Sequence, residues 1–149
     1  MGKYVYETEK NVRKNRGEGM KVFIADDSSE LRERIVDMIL ETENIEIVGQ
    51  AENVPEAIQA IRDLRPDVVI LDIRMPGGCG IDVLNTIEKN GRIPVVIMLT
   101  NYPYPQYRKK CFDSGADFFF DKSTEFEKVI DVLQCIPAGG DAVSIAPSE

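Results

Sequence analysis

The run Val68-Val69-Ile70-Leu71 passes without a polar break into Asp72, and Ile73-Arg74-Met75 then meets the breakers Pro76-Gly77-Gly78. A short, continuous apolar run bounded in this way predicts a strand buried on both faces, as in a parallel sheet. Pro94 to Leu99 is a second run of the same kind, ending at Thr100. Two such strands need helices on both sides to cover them, which restricts the chain to alternating α/β architectures. Asp72 then falls at the carboxyl edge of the sheet, where open α/β folds bind ligands.

The remaining elements follow the same alternation. Val22-Phe23-Ile24-Ala25 predicts a strand leading to Asp26 and Asp27. A Ser at 28 or 29 is placed to cap a helix carrying Leu31, Ile35, Met38 and Ile39 at helical spacing. Ile45 to Ala51 alternates as a half-exposed strand does. Pro55 opens a helix through Ala57, Ile58, Ile61 and Leu64 that stops before Pro66. Ile81, Leu84 and Ile87 predict a helix ending by Gly91, and Tyr102 to Ser114 a further helix with a weak apolar period. Phe118-Phe119-Phe120 predicts a strand delivering Asp121 and Lys122. A last helix carries Phe126, Val129, Ile130 and Leu133, with Ser123 or Thr124 as its cap.

Five strand–helix units with right-handed crossovers give a flavodoxin-like, doubly wound parallel sheet of strand order 2-1-3-4-5. The folded unit is expected over residues 20–136. Residues 1–19, with five basic and three acidic side chains, read as a flexible extension in which Tyr4-Val5-Tyr6 is a candidate short strand. Residues 137–149 read as a disordered tail.

Charge narrows the function. The net charge is −8, which argues against a general nucleic-acid binder. No histidine is present, which removes Ser-His and Cys-His triads and most zinc sites. Cys79, Cys111 and Cys135 have no metal-ligand spacing and are expected as reduced thiols in a cytoplasmic protein. No apolar run approaches the length of a membrane span.

The residues after the strands carry the chemistry: Asp26 and Asp27, Asp72, Thr100 and Lys122. Three carboxylates at one edge repel each other unless a cation intervenes, and Mg2+ is the hard, oxygen-seeking candidate. An Asp can serve as a nucleophile toward phosphorus, and a metal, a lysine and a hydroxyl neutralise a transferring phosphoryl group. Taken singly, each residue has an ordinary reading as a turn, cap or surface group. Their joint placement after successive strands favours phosphoryl transfer onto a carboxylate. The cysteines, Tyr102-Pro103-Tyr104-Pro105 and the Arg108-Lys109-Lys110 run keep the ordinary reading, the last as a solvated helix face.

The segments VFIADDSSELRERI, PDVVILDIRMPGGCGIDVL, PVVIMLT and GADFFFDKS together resemble the receiver domain of bacterial two-component response regulators over roughly residues 20–136. The resemblance implies that Asp72 accepts a phosphoryl group from a sensor histidine kinase. It implies that Asp26, Asp27, Asp72 and the backbone carbonyl of Arg74 bind Mg2+. Lys122 would pair with the phosphate, Thr100 would move to hydrogen-bond it, and Phe119 would follow as the aromatic switch. Such a module is not an enzyme beyond its own phosphorylation and dephosphorylation. Its output would pass through the face formed by the fourth helix, fifth strand and fifth helix, to an effector protein or a homodimer partner. No effector domain is expected in this sequence. The segments around Lys122 are similar to receivers that precede a helix-turn-helix output.

The sequence departs from the family's pattern in places. Ser123 stands where Pro is common after the lysine, Asn101 replaces a small residue, and Phe119 lacks a Tyr hydroxyl. Arg74 and Tyr102 flank the site and are expected to shield an acyl phosphate. Two other readings are an Asp-nucleophile phosphatase of the haloacid dehalogenase type and a degenerate receiver that only binds partners. Arg74, where the phosphatase has its second Asp, counts against the first; the intact carboxylates and lysine count against the second.

Overall fold

The computed structural model describes residues 19–87 and 93–136. Its elements are β1 (Met20–Ala25), α1 (Ser29–Leu40), β2 (Ile45–Ala51), α2 (Val54–Leu64) and β3 (Val68–Leu71). A small hairpin of β4 (Arg74–Met75) and β5 (Gly78–Cys79) follows, then α3 (Gly80–Thr86), β6 (Val95–Thr100), α4 (Pro105–Asp113), β7 (Phe118–Asp121) and α5 (Lys128–Cys135). Five strands form one parallel sheet in the order β2-β1-β3-β6-β7, which is the expected 2-1-3-4-5 topology.

The period-2 geometry of a strand divides the apolar residues between two cores. Ile24, Ile70, Ile97, Leu99, Phe118 and Phe120 pack with Leu31, Ile35 and Ile39 of α1 and Val129 and Leu133 of α5. Phe23, Val69, Leu71, Val96, Met98 and Phe119 face the other way, against Ala57 and Ala60 of α2, Leu84 of α3 and Cys111 of α4. β3 and β6 are buried at every residue, as their unbroken apolar runs predict. Burying one Ile or Leu there contributes about 1.5–3 kcal/mol, so the centre of the sheet fixes where its edge residues end up.

Local signals set most boundaries. The Ser28 hydroxyl accepts the Leu31 N–H at 3.1 Å and caps α1. Asn53 caps α2 through Glu56 N–H at 2.9 Å, and Arg65 ends it in the left-handed region just before Pro66. β2 shows the strict buried and half-buried alternation expected of it.

Two helices differ from expectation. α4 begins at Pro105, three residues later than predicted, because Tyr104 stands extended as its N-cap and Pro105 enters the first turn. Neither Ser123 nor Thr124 caps α5, whose N-cap is Glu127. The amides of both are drawn back to Asp121 instead: Ser123 N–H donates to its carboxylate at 2.8 Å and Thr124 N–H to its carbonyl at 3.3 Å. That local turn delays the helix to Lys128 and leaves Phe126 buried ahead of it. The candidate strand at Tyr4-Val5-Tyr6 and both proposed tails lie outside the described residues, apart from Gly19.

Candidate functional site

Register brings the predicted residues to one place. Ala25 pairs with Leu71 and Leu71 with Met98, so Asp26 and Asp72 leave neighbouring strand ends together. Their main chains are tied across the sheet: Asp72 N–H donates to Ala25 O at 3.0 Å, and Asp26 N–H to Ala51 O at 3.0 Å. Lys122 is anchored likewise, its N–H donating to Thr100 O at 2.8 Å. Oxygens of Asp26, Asp27 and Asp72 all lie within 4.8 Å of one another, with Asp26 and Asp72 buried and Asp27 exposed.

Lys122 answers part of that negative charge. Its Nζ lies 2.8 Å from Asp26 Oδ2 and 3.2 Å from Asp72 Oδ2, in a position that is largely buried. One ammonium shared between two buried carboxylates does not balance both. Burial, and then the neighbouring Asp26 charge, push the Asp72 carboxyl up to about 6. Lys122 and the Ile73 amide, which donates to Oδ1 at 2.7 Å, pull the other way without cancelling the rise. Burial alone would lower Lys122, yet its hydrogen bond to Asp26 and the two carboxylate charges hold it above its ordinary value. A hard divalent cation fits this oxygen-only, under-neutralised donor set.

Thr100 is fully buried at the end of β6, and its hydroxyl oxygen accepts Tyr102 N–H at 2.9 Å. Phe119 is turned by strand alternation toward α4, its ring 6.4 Å from that of Phe112. Arg74 opens the β4–β5 hairpin. Its guanidinium sits 4.1 Å from the centroid of the Tyr102 ring and donates to the Tyr107 hydroxyl at 3.4 Å. Arg74, Tyr107 and Asp27 line a cavity of about 460 Å³ beside the carboxylates.

Several contributors do not stand out in the sequence. The Tyr-Pro-Tyr-Pro stretch is not an ordinary loop: Tyr102, Tyr104 and Tyr107 form a chain of tilted rings with Arg74 on its first member. Arg108 is not a solvated residue either. Its guanidinium lies 5.2 Å from the Phe112 centroid and 5.6 Å from that of Phe119, whereas Lys109 and Lys110 are exposed as expected. Gly80, at the start of α3, touches the backbone of Asp72, where a Cβ would overlap the carbonyl oxygen. Arg32 reaches from α1 to the Asp26 carbonyl at 2.6 Å. The aromatic-Pro repeat and a glycine eight residues after Asp72 are the only traces these leave in the sequence.

Residues 22–134 match the family described as the response regulator receiver domain. The chain belongs to that family. Among its relatives, a transcriptional regulatory protein of Bacillus subtilis, YvfU, is 33% identical over 115 residues, which are 77% of this chain and 58% of that protein. A LuxR-family DNA-binding response regulator of Staphylococcus aureus has a similar structure, with a TM-score of 0.69 at 32% identity, covering 75% of this chain and 93% of that one. A chain of the CheX–CheY–BeF3–Mg2+ complex of Borrelia burgdorferi gives a TM-score of 0.68 at 29% identity, covering 79% and 93%. This receiver domain spans about half the length of the curated relatives it matches. No helix among the described residues is long and apolar enough to cross a membrane.

Proposed function

We propose that this receiver domain is a phosphorylation switch in which Asp72 accepts a phosphoryl group from a histidine kinase. The observation that carries the reading is the shared Lys122 ammonium, bonded to both Asp26 and Asp72 within a three-carboxylate cluster at the carboxyl edge of the sheet. A carboxylate oxygen of Asp72 would bond to phosphorus as the bond from phosphorus to the donor imidazole nitrogen breaks, the nitrogen keeping the electron pair. Asp26, Asp27 and Asp72, with the Arg74 backbone carbonyl, would hold Mg2+. The ion's role is to draw negative charge off the phosphoryl oxygens. The Ile73 amide on Oδ1 and Lys122 on Oδ2 fix the carboxylate plane. Lys122 would then turn from Asp26 to the phosphoryl group, and Thr100 would exchange its Tyr102 amide for the same group, with Phe119 following inward. The Borrelia burgdorferi assembly, solved with BeF3 and Mg2+, supports this assignment by similarity. Output through the α4–β7–α5 face, to an effector or a second copy, completes the reading; the protein turns over no substrate other than its own phosphoryl group, acts in the cytoplasm and binds no nucleic acid through this domain.

Incubation with acetyl phosphate and Mg2+ tests it by intact mass. The wild type should gain one phosphoryl group and Asp72→Asn none. An unmodified wild type, or label that survives in Asp72→Asn, would sink the proposal. Multiple turnover of donor without accumulation would point to the phosphatase alternative.

Arg74 and Tyr102 give a second expectation. The guanidinium packed on the ring is placed to limit water beside the acyl phosphate. Alanine at both positions should speed dephosphorylation roughly three- to tenfold in a stopped phosphorylation assay. An unchanged rate rejects the shielding role.

A further inference from the structure

The acidic pair is held from outside the cluster by a residue of α1. The Asp26 N–H is fixed to Ala51 O of β2, and its carbonyl is taken by Arg32 Nη1 at 2.6 Å. The same guanidinium donates from Nε to the Gln50 side-chain oxygen at 3.1 Å. Gln50 pairs with Ile24, one residue before the Ala25–Ala51 pair, so Arg32 staples the loop after β1 to the neighbouring strand at the height of the carboxylates. Besides the Ala51 bond and the Lys122 ammonium on Asp26 Oδ2, the loop's ties are short-range: Ser28 N–H donates to Asp26 Oδ1 at 2.9 Å, and the Ser28 hydroxyl caps α1. These local bonds set the turn but not its position relative to the sheet.

We infer that Arg32 is a positioning residue for the divalent-cation site, acting through the Asp26 backbone and dependent on Gln50 as its second anchor. The inference rests on the proposed cation binding. Two effects of the Arg32 side chain oppose each other. As a positive charge near a cation site it disfavours the ion, so removing the charge alone would tighten binding. As a fork spanning two acceptors it fixes Asp26 and Asp27 in place, so losing the fork would weaken binding. Lysine separates the two because it keeps the charge while offering one nitrogen in place of two fixed, coplanar donors.

Titration of the full chain with Mg2+ alone, by calorimetry and without phosphodonor, is the test. Arg32→Lys should bind Mg2+ roughly tenfold more weakly than wild type, in the range of lost outer contacts at metal sites. Gln50→Ala should bind it about two- to threefold more weakly, one anchor being lost while the carbonyl contact remains. A thermal melt in EDTA establishes that each variant is folded. Equal Mg2+ affinity in wild type and folded Arg32→Lys, or tighter binding in the variant, overturns the inference while leaving the phosphorylation reading intact. If Arg32→Lys does not fold, Gln50→Ala decides alone, and unchanged affinity there overturns it. A wild type that binds no Mg2+ overturns both readings.

Discussion

Asp72→Asn is expected to unfold at a higher temperature than the wild type at neutral pH, even though it removes the proposed phosphoryl acceptor. The Asp72 carboxyl moves from 3.8 to about 6 on folding, so the folded chain holds this proton more tightly than the unfolded one. The associated stability is fully present below about pH 4, is lost progressively as pH rises toward 6, and stays lost above it. A displacement of that size corresponds to at most about 3 kcal/mol at pH 7. The amide removes the burial cost of the charge and the repulsion from Asp26, while Lys122 keeps its 2.8 Å bond to Asp26. A net gain of roughly 1–3 kcal/mol should remain, or several degrees in melting temperature for a chain of this size. Denaturant titrations across pH 4–7.5 check it: the wild type should lose stability through that window, and Asp72→Asn should lack this component. A variant less stable than wild type at pH 7, with the same pH slope, would reject it. Mg2+ should narrow the difference at pH 7, since it stabilises only chains that bind it. The ion that the site is proposed to use would thus relieve a charge that the folded chain carries at a cost.

The parts of this site that were legible in the sequence are those set by chain order. Unbroken apolar runs located β3 and β6, and the residue after each strand end had to lie on the shared edge, whatever the loops did. Phe119 was legible only through the family resemblance; the structure puts it on the α4 side, opposite Phe118 and Phe120. What escaped depends on contacts between residues far apart in the chain. Arg74 meets Tyr107 across 33 positions, a pairing with no local periodicity to betray it. Arg32 meets Gln50 across 18, and on α1 its spacing looks like that of any solvent-facing arginine. The misplaced α5 cap has a different cause. Ser123 and Thr124 are ordinary capping residues, but Asp121 competes for their amides and forms the nearer turn.

Gly80→Ala is expected to be the most damaging substitution outside the carboxylates and the lysine. α3 starts directly against the segment that carries Asp72, with Gly80 N–H donating to Ile73 O at 2.6 Å. A Cβ at Gly80 would overlap the Asp72 carbonyl oxygen and stand 2.9 Å from its carbonyl carbon and 3.1 Å from Ile73 Cα. All three are backbone atoms and have no rotamer by which to withdraw. Either α3 must retreat or the Asp72–Ile73 peptide must shift, and both are pinned. Asp72 N–H is bonded to Ala25 O, while Ile81, Val83 and Leu84 are buried in the core. Overpacking of this kind costs about 3 kcal/mol or more, which exceeds the roughly 0.5–1 kcal/mol that alanine gains over glycine in a helix. A fall in melting temperature of about 10 °C should follow. Gly77 gives a useful contrast, because its positive φ of 88° strains any side chain, but the nearest obstacle is the Pro55 ring at 2.8 Å, not the Asp72 backbone. Gly77→Ala should therefore lower stability while sparing the phosphorylation rate of the folded protein. Gly80→Ala, measured below its own melting point, should lower both, because the peptide it displaces sets the distance between Asp72 and Lys122. A Gly80→Ala protein within about 1 kcal/mol of wild type, or one that is phosphorylated at the wild-type rate, would show that α3 can yield without moving Asp72.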